Sequence, residues 1–178
     1  MNKGKYAFWL VPSGEAYNLL KETIRRYSEI YSTPLFEPHI TLISSLQGSV
    51  SGLRQKASQL ARAIGRLELQ LEKPAHSASY FRCVFLDVAR EPSIVRAHAA
   101  ASDLFPVSLH TEYEPHLSLV YGNLPAVDRE RIVAEIGDTL CSPVTVKQMS
   151  LYQASSDSTP DTWEQTYSCC LHEEQQDK

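Results

Sequence analysis

Phe36-Glu37-Pro38-His39-Ile40-Thr41-Leu42-Ile43 and Tyr113-Glu114-Pro115-His116-Leu117-Ser118-Leu119-Val120 are near copies of one another, with four of the eight positions identical and the other four conservative. Both stretches read as strands, and side chains along a strand alternate between its two faces. His39 and Thr41 therefore share one face while Ile40 and Leu42 point to the other, and His116 and Ser118 stand in the same way against Leu117 and Leu119. Each repeat presents an imidazole beside a hydroxyl and keeps an apolar row behind it for a core. One such histidine has many structural explanations. Two, each followed two places later by a hydroxyl and one in each half of the chain, predict that folding gathers them around a common pocket.

Outward from the repeats, the remaining elements follow from periodicity and punctuation. Tyr6-Ala7-Phe8-Trp9-Leu10-Val11 is a strand closed by Pro12-Ser13-Gly14. Ala16, Leu19, Leu20, Ile24, Tyr27 and Tyr31 recur at helical steps and predict a helix over Glu15–Tyr31. Leu53, Ala57, Leu60, Ala61 and Ile64 outline a second helix ending near Gly65, and Leu67, Leu69 and Leu71 alternate as a strand up to Pro74. A further strand is expected over Arg82–Val88. Pro92 opens a third helix through Leu104, leading through Pro106 to the second histidine strand, and a fourth runs from Ala126 to Ile136 and stops at Gly137. Val144–Tyr152 and Trp163–Cys169 read as a closing strand pair joined by an exposed polar loop, Ser155-Ser156-Asp157-Ser158 included. The interspersed elements predict an α+β protein with mainly antiparallel sheet. The repeat predicts an approximate internal two-fold with a cleft between its halves. Residues 1–172 are expected to form one bilobal domain, and 173–178 a polar tail.

Composition narrows the classes. With 178 residues, 43% hydrophobic and 21% charged, the chain suits one well-buried globular unit. A net charge of −4 lacks the positive field with which long nucleic acids are gathered, yet leaves room for a small phosphate in a local cleft. No apolar run is long enough for a membrane span, and the start at Met1 does not resemble a signal peptide; a cytoplasmic monomer is expected. Cys83, Cys141, Cys169 and Cys170 have no metal-ligand spacing and are expected to be free thiols. His76, His98, His110 and His172 lack the hydroxyl context and are expected at the surface or in turns; none forms a tight metal-ligand spacing, so no metal or cofactor is expected.

Two imidazoles and two hydroxyls suit the breaking of a phosphoester. A neutral histidine takes a proton from water, a protonated one gives a proton to the leaving oxygen, and the hydroxyls donate to the nonbridging oxygens where charge builds. Glu37 and Glu114, each two residues before its histidine, can be read as general bases, as residues that orient the imidazole or as members of solvent-side ion pairs. A serine hydrolase is disfavoured, because there is no Gly-x-Ser-x-Gly elbow and both hydroxyls lie inside strands.

His39-Ile40-Thr41-Leu42 and His116-Leu117-Ser118-Leu119 resemble the paired His-x-Thr/Ser motifs of the 2H phosphoesterase superfamily. The likeness is nearest to its cyclic phosphodiesterases of the plant and yeast type, through Tyr6–Pro12, Phe36–His39, Tyr80–Val84 and Pro115–Gly122. The resemblance implies a bilobal fold with two mainly antiparallel sheets, helices outside and a central cleft. It also implies metal-independent opening of ADP-ribose 1″,2″-cyclic phosphate or of nucleoside 2′,3′-cyclic phosphates, the latter to 2′-phosphates. His39 and His116 are then the catalytic pair, with Thr41, Ser118 and Tyr121 at the phosphate and Trp9 and Phe81 as surfaces on which a base or sugar stacks. Strand alternation from His116 puts Tyr121 on the opposite face, so a bulge or strand end has to turn it. Cysteine placement departs from the plant pattern, so disulfide control does not carry over. Two other readings stand beside this one: an enzyme that processes RNA ends, for which the acidic charge is unfavourable, and a non-catalytic module that binds a nucleotide in the same pocket.

Overall fold

A computed structural model describes residues 5–105, 107, 112–155 and 157–172. The expectations for Pro106, His110, Ser156 and the tail 173–178 lie outside these residues. Among the described residues, seven strands and four helices follow one another along the chain: β1 (Tyr6–Pro12), α1 (Gly14–Tyr31), β2 (Ile40–Leu46), α2 (Val50–Ile64), β3 (Leu67–His76), β4 (Val84–Val88), α3 (Pro92–Leu104), β5 (His116–Val120), α4 (Ala126–Ile136), β6 (Pro143–Gln153) and β7 (Glu164–Cys170). All strand pairings among the described residues are antiparallel.

The strands do not form two separate sheets. They hydrogen-bond in the order β1-β2-β5-β4-β3-β6-β7, and β6 pairs back onto β1, so six strands close into a ring with β7 on its flank. Closure follows from the length of β3 and β6, each of which serves two neighbours in turn. β6 pairs with β3 over Pro143–Val146 and with β1 over Val146–Gln153; β3 passes from β6 to β4 after Gln70. The register shift between Leu71 and Pro74 carries β3 past its proline, which has no N–H to give the ladder, so the strand continues to His76 rather than ending at Pro74.

The ring keeps its main apolar core on the outside. Phe8, Leu10, Ile40, Leu42, Val84, Leu86, Leu117 and Leu119 are all at most 1% exposed and cluster with Leu20, Ile24, Ile94, Ala97 and Ile132 of the helices. α2 and α3 pack on each other and reach β7, β2 and β3, while α1 lies against β5 and β1, and α4 against β3 and β4. The alternate residues of the same strands face away from the helices, and there a smaller cluster of Ala7, Trp9 and Tyr152 lies beside polar groups. No helix among the described residues is long and apolar enough to cross a membrane, and all four cysteines are free.

Two local expectations change. The strand expected from Arg82 starts later, because residues 80–82 form a 3₁₀ turn. The Ser77 hydroxyl donates to Arg82 O, Arg82 N–H donates to Ser79 O, and β4 begins only at Val84. His98 is not a surface residue. It is half-buried on α3 with Nδ1 against Leu42 O at 2.8 Å and its ring on Tyr113 (3.8 Å, 2°), tying α3 to β2, because α3 packs this face on the sheet.

Candidate active site

β2 and β5 are adjacent but touch through a single ladder pair, Ile40 with Leu117, the residues that follow the two histidines. Flanking strands repeat the arrangement: Leu10 lies beside Ile40 and Leu86 beside Leu117, and Trp9 beside Thr41 as Phe85 lies beside Ser118. The imidazoles thus emerge on either side of a narrow seam. A hollow of about 280 Å³ opens there, lined by Trp9, His39, Thr41, Phe81, His116 and Tyr121, with Ala7, Ser44, Ala154, Ser155 and Trp163 at its margins.

Both histidines are held alike. His39 Nδ1 lies 2.6 Å from the Glu37 carbonyl and His116 Nδ1 2.9 Å from that of Glu114. A carbonyl only accepts, so each Nδ1 carries the proton and each Nε2 is left as the working nitrogen. The backbone of the two glutamates orients the rings, while their carboxylates do something else. Glu37 accepts from Tyr17 Oη at 2.5 Å and Lys21 Nζ at 3.0 Å, and Glu114 from Arg82 at 2.5 Å. Orientation of the ring and ion pairing are thus both present, in different atoms.

The surroundings of the two rings differ. Trp9 stacks on His39 (3.6 Å between centroids, 9°) and on Tyr152 (3.7 Å, 21°), and two rings at those distances need opposite faces of the indole. Phe36 and Tyr121 complete the aromatic wall, with Tyr121 Oη 3.5 Å from His39 Nε2. His39 is 5% exposed, and loss of hydration pushes its pKa down from 6.5 to about 4. His116 is half-buried, meets Phe85 edge-on at 5.7 Å, and is also held below the usual range, first by burial and partly by Arg82. Both shifts favour the neutral imidazole before an anion binds.

The other expected residues divide. Thr41 lines the hollow. Ser118 sits one step back, 4% exposed and outside the lining, with its hydroxyl donating to Phe81 O at 3.0 Å. Tyr121 lies just past the end of β5 and does reach the hollow; Gly122, at φ +153° and hydrogen-bonded to Tyr80 O, follows it. Burial raises the phenol pKa, which keeps it a neutral donor. Trp9 lines the hollow with both indole faces already covered, so it supports His39 more than it offers a free surface. Phe81 is half-exposed at the mouth, and Trp163 faces it at 5.7 Å, its Nε1–H anchored on Ser158 of the polar loop. Trp163 and Phe85 join the site without a local signal in the sequence. Trp163 arrives through a loop, and Phe85 is hidden in the apolar run Val84-Phe85-Leu86, although its register opposite Ser118 matches that of Trp9 opposite Thr41.

Among the described residues, no lysine or arginine lines the hollow, and no group of three His, Cys, Asp or Glu is placed to hold a metal ion.

The family model for cyclic phosphodiesterase-like proteins matches residues 5–166. A cyclic phosphodiesterase of Arabidopsis thaliana is 24% identical over 97% of this chain and 98% of its own length. A 2′,3′-cyclic-nucleotide 3′-phosphodiesterase of Yarrowia lipolytica is 26% identical over 76% of this chain and 83% of its own. Among solved structures, E. coli LigT in apo form aligns with a TM-score of 0.60 at 14% identity, covering 97% of this chain and all of that one. A second solved structure, TT0787 of Thermus thermophilus, aligns with a TM-score of 0.61 at 16% identity, over 96% of this chain and 99% of its own.

Proposed function

The chain belongs to the cyclic phosphodiesterase-like family of 2H phosphoesterases and is an enzyme of that class, and from that premise we propose that it hydrolyses a small nucleotide-derived cyclic phosphate without a metal ion, through His39 and His116. The substrates put forward are nucleoside 2′,3′-cyclic phosphates, opened to 2′-phosphates, and ADP-ribose 1″,2″-cyclic phosphate.

The observation that carries this reading is a hollow with two carbonyl-held imidazoles and, among its described lining residues, no lysine or arginine. A cyclic phosphodiester carries one negative charge, and one histidinium balances it. The neutral partner then takes a proton from the attacking water, and the histidinium gives one to the departing ribose oxygen, leaving the pair with its proton exchanged. Charge grows on the nonbridging oxygens as water adds, so donors fixed there stabilise the transition state more than the substrate. We assign Thr41 and Tyr121 to that task, with Ser118 joining them when its hydroxyl turns from Phe81 O. Phe81 and Trp163 at the mouth offer aromatic surface to the base or sugar, with Trp9 behind them. The product carries a second negative charge that one histidinium does not balance, which favours its release.

The size of the hollow suits a mononucleotide, and a structure of E. coli LigT complexed with 3′-AMP is among those sharing the fold. The antiparallel pairing of equivalent residues, Ile40 with Leu117, supports an approximate two-fold axis through the seam and residues 1–172 acting as one bilobal unit. The lack of cationic side chains among the described lining residues speaks against long RNA as the main substrate.

The test is direct assay with nucleoside 2′,3′-cyclic phosphates and the ADP-ribose cyclic phosphate. His39→Ala and His116→Ala are each expected to lower kcat/KM by about 10³-fold or more with the fold retained, and EDTA to leave turnover unchanged. Full activity in either variant, or loss on chelation, refutes the mechanism.

A further inference from the structure

Beside the catalytic hollow lies a second one of about 290 Å³, joined to it through Thr41, Ser44 and His116 and bounded by Arg82, His98, Glu112 and Glu114. Arg82 is its organising group. Nη1 donates to Glu114 at 2.5 Å and Nη2 to Asp87 at 3.3 Å. The guanidinium lies over the Phe85 ring at 4.2 Å, and Phe85 in turn meets His116 edge-on. Asp87 is the cross-strand partner of His116, and the Glu114 carbonyl holds the Nδ1 proton. One arginine therefore ties down the carboxylates on both sides of this histidine and the ring that packs against it.

We propose that Arg82 is the positioning residue of His116: by engaging Asp87 and Glu114 and stacking on Phe85, it fixes the imidazole and keeps two carboxylates from trapping it in the charged form. Around His39 the Glu37 carboxylate is held by Tyr17 and Lys21 instead, and the ring itself is flanked by Trp9, Phe36 and Tyr121. The proposal rests on His116 being one of the two proton carriers.

Charged and titratable groups reach His116 from four places in the fold. Arg82 comes from the 3₁₀ turn, Asp87 from β4, Glu114 from the approach to β5, and His39 from the approach to β2. Farther out, Glu112 is paired with Arg90 at 2.6 Å, and His98 of α3 is bound to Leu42 O. Arg82 lowers the affinity of His116 for a proton, and Asp87 and Glu114 raise it. Removal of the arginine therefore acts twice in one direction, by deleting a positive charge and by freeing two negative ones.

The experiment is a ¹³C NMR titration of Cε1-labelled histidines, assigned with His116→Gln, in the wild type, Arg82→Gln and the double variant Asp87→Asn, Glu114→Gln. Arg82→Gln is expected to raise the midpoint of His116 by roughly half a unit to one unit and leave His39 in place. The matching limb of the kcat/KM pH profile moves with it, a change of about three- to ten-fold in rate on that flank. Arg82→Lys keeps the charge without the fork and stack, and falls between. The double variant keeps the guanidinium on Phe85 and is expected to move His116 the opposite way, so it reads the same coupling even where Arg82→Gln does not fold. An unmoved His116 in these variants, or equal movement of both histidines, overturns the proposal. The titration reads Arg82 independently of turnover, so a wild type that opens no cyclic phosphate yet shows these shifts refutes the proposed reaction while supporting the role of Arg82.

Discussion

His39 and His116 have the same backbone tether and different company, and the difference has a thermodynamic signature. His39 is enclosed by aromatic rings, and folding moves its pKa from 6.5 down to about 4. A histidine depressed in the folded state binds fewer protons than in the unfolded chain, so its contribution to stability is whole above pH 6.5 and is lost as the pH falls toward 4. The full effect is about 3 kcal/mol. His116 is shifted in the same direction and adds to it. Urea midpoints are therefore expected to fall between pH 7 and pH 4.5, above the range in which most carboxylates titrate. His39→Gln should flatten this dependence, and a variant curve parallel to the wild type would show that burial of this imidazole costs nothing. Bound sulfate favours the imidazolium forms, so it should stabilise the wild type more at pH 5.5 than at pH 7.5.

At the scale of elements, one turn and one glycine place what the strands alone do not. Strand alternation from His116 would send Tyr121 toward the helices, but β5 stops at Val120 and Tyr121 turns into the site, stacked on Phe36 at 3.8 Å. Gly122 fixes that exit. At φ +153° an L side chain is strained, and a Cβ would come within 3.2 Å of Thr33 Cγ2. Gly122→Ala is expected to cost roughly 1–3 kcal/mol and to lower kcat/KM, because Gly122 N–H also holds Tyr80 O at the 3₁₀ turn that carries Phe81 and Arg82. Calorimetry and initial rates check this together, and an unchanged melting temperature would remove Gly122 from the account. The sequence showed α3 and α4 to the residue because a proline opens one, a glycine closes the other, and apolar steps fill both. It showed the histidine strands because they are repeated. It did not show the 3₁₀ turn, since Tyr80-Phe81-Arg82 has the residue types of a strand and only hydrogen bonds to Ser77 and Ser79 bend it. Nor did it show Trp163 or Arg82 at the site, since their places depend on contacts between distant segments.

For the whole molecule, the unevenness of ring closure explains where a site can exist. β1 and β6 pair over seven residues, Tyr6 to Pro12, whereas β2 and β5 share the single pair Ile40–Leu117. A long ladder at that seam would zip the histidine strands together and set His39 directly across from Ser118 and Thr41 across from His116, leaving no room for a ligand. With one pair, the strands diverge and the imidazoles flank the gap, while Ile40 and Leu117, both 0% exposed, are anchored in the outer core. The seam is thus the ring's weakest ladder and the place where an anion held by both histidines adds a bridge. Amide hydrogen exchange should accordingly slow in segments 40–46 and 116–122 when sulfate saturates the protein, by a factor set by the added binding free energy, with little change in β6 and β7. In His116→Gln the same sulfate concentration should protect neither segment. Uniform slowing across all strands would mean that the anion stabilises the fold without spanning the seam, and protection retained in the variant would place it on other residues; either result would dismantle the picture of two strands joined through a shared ligand.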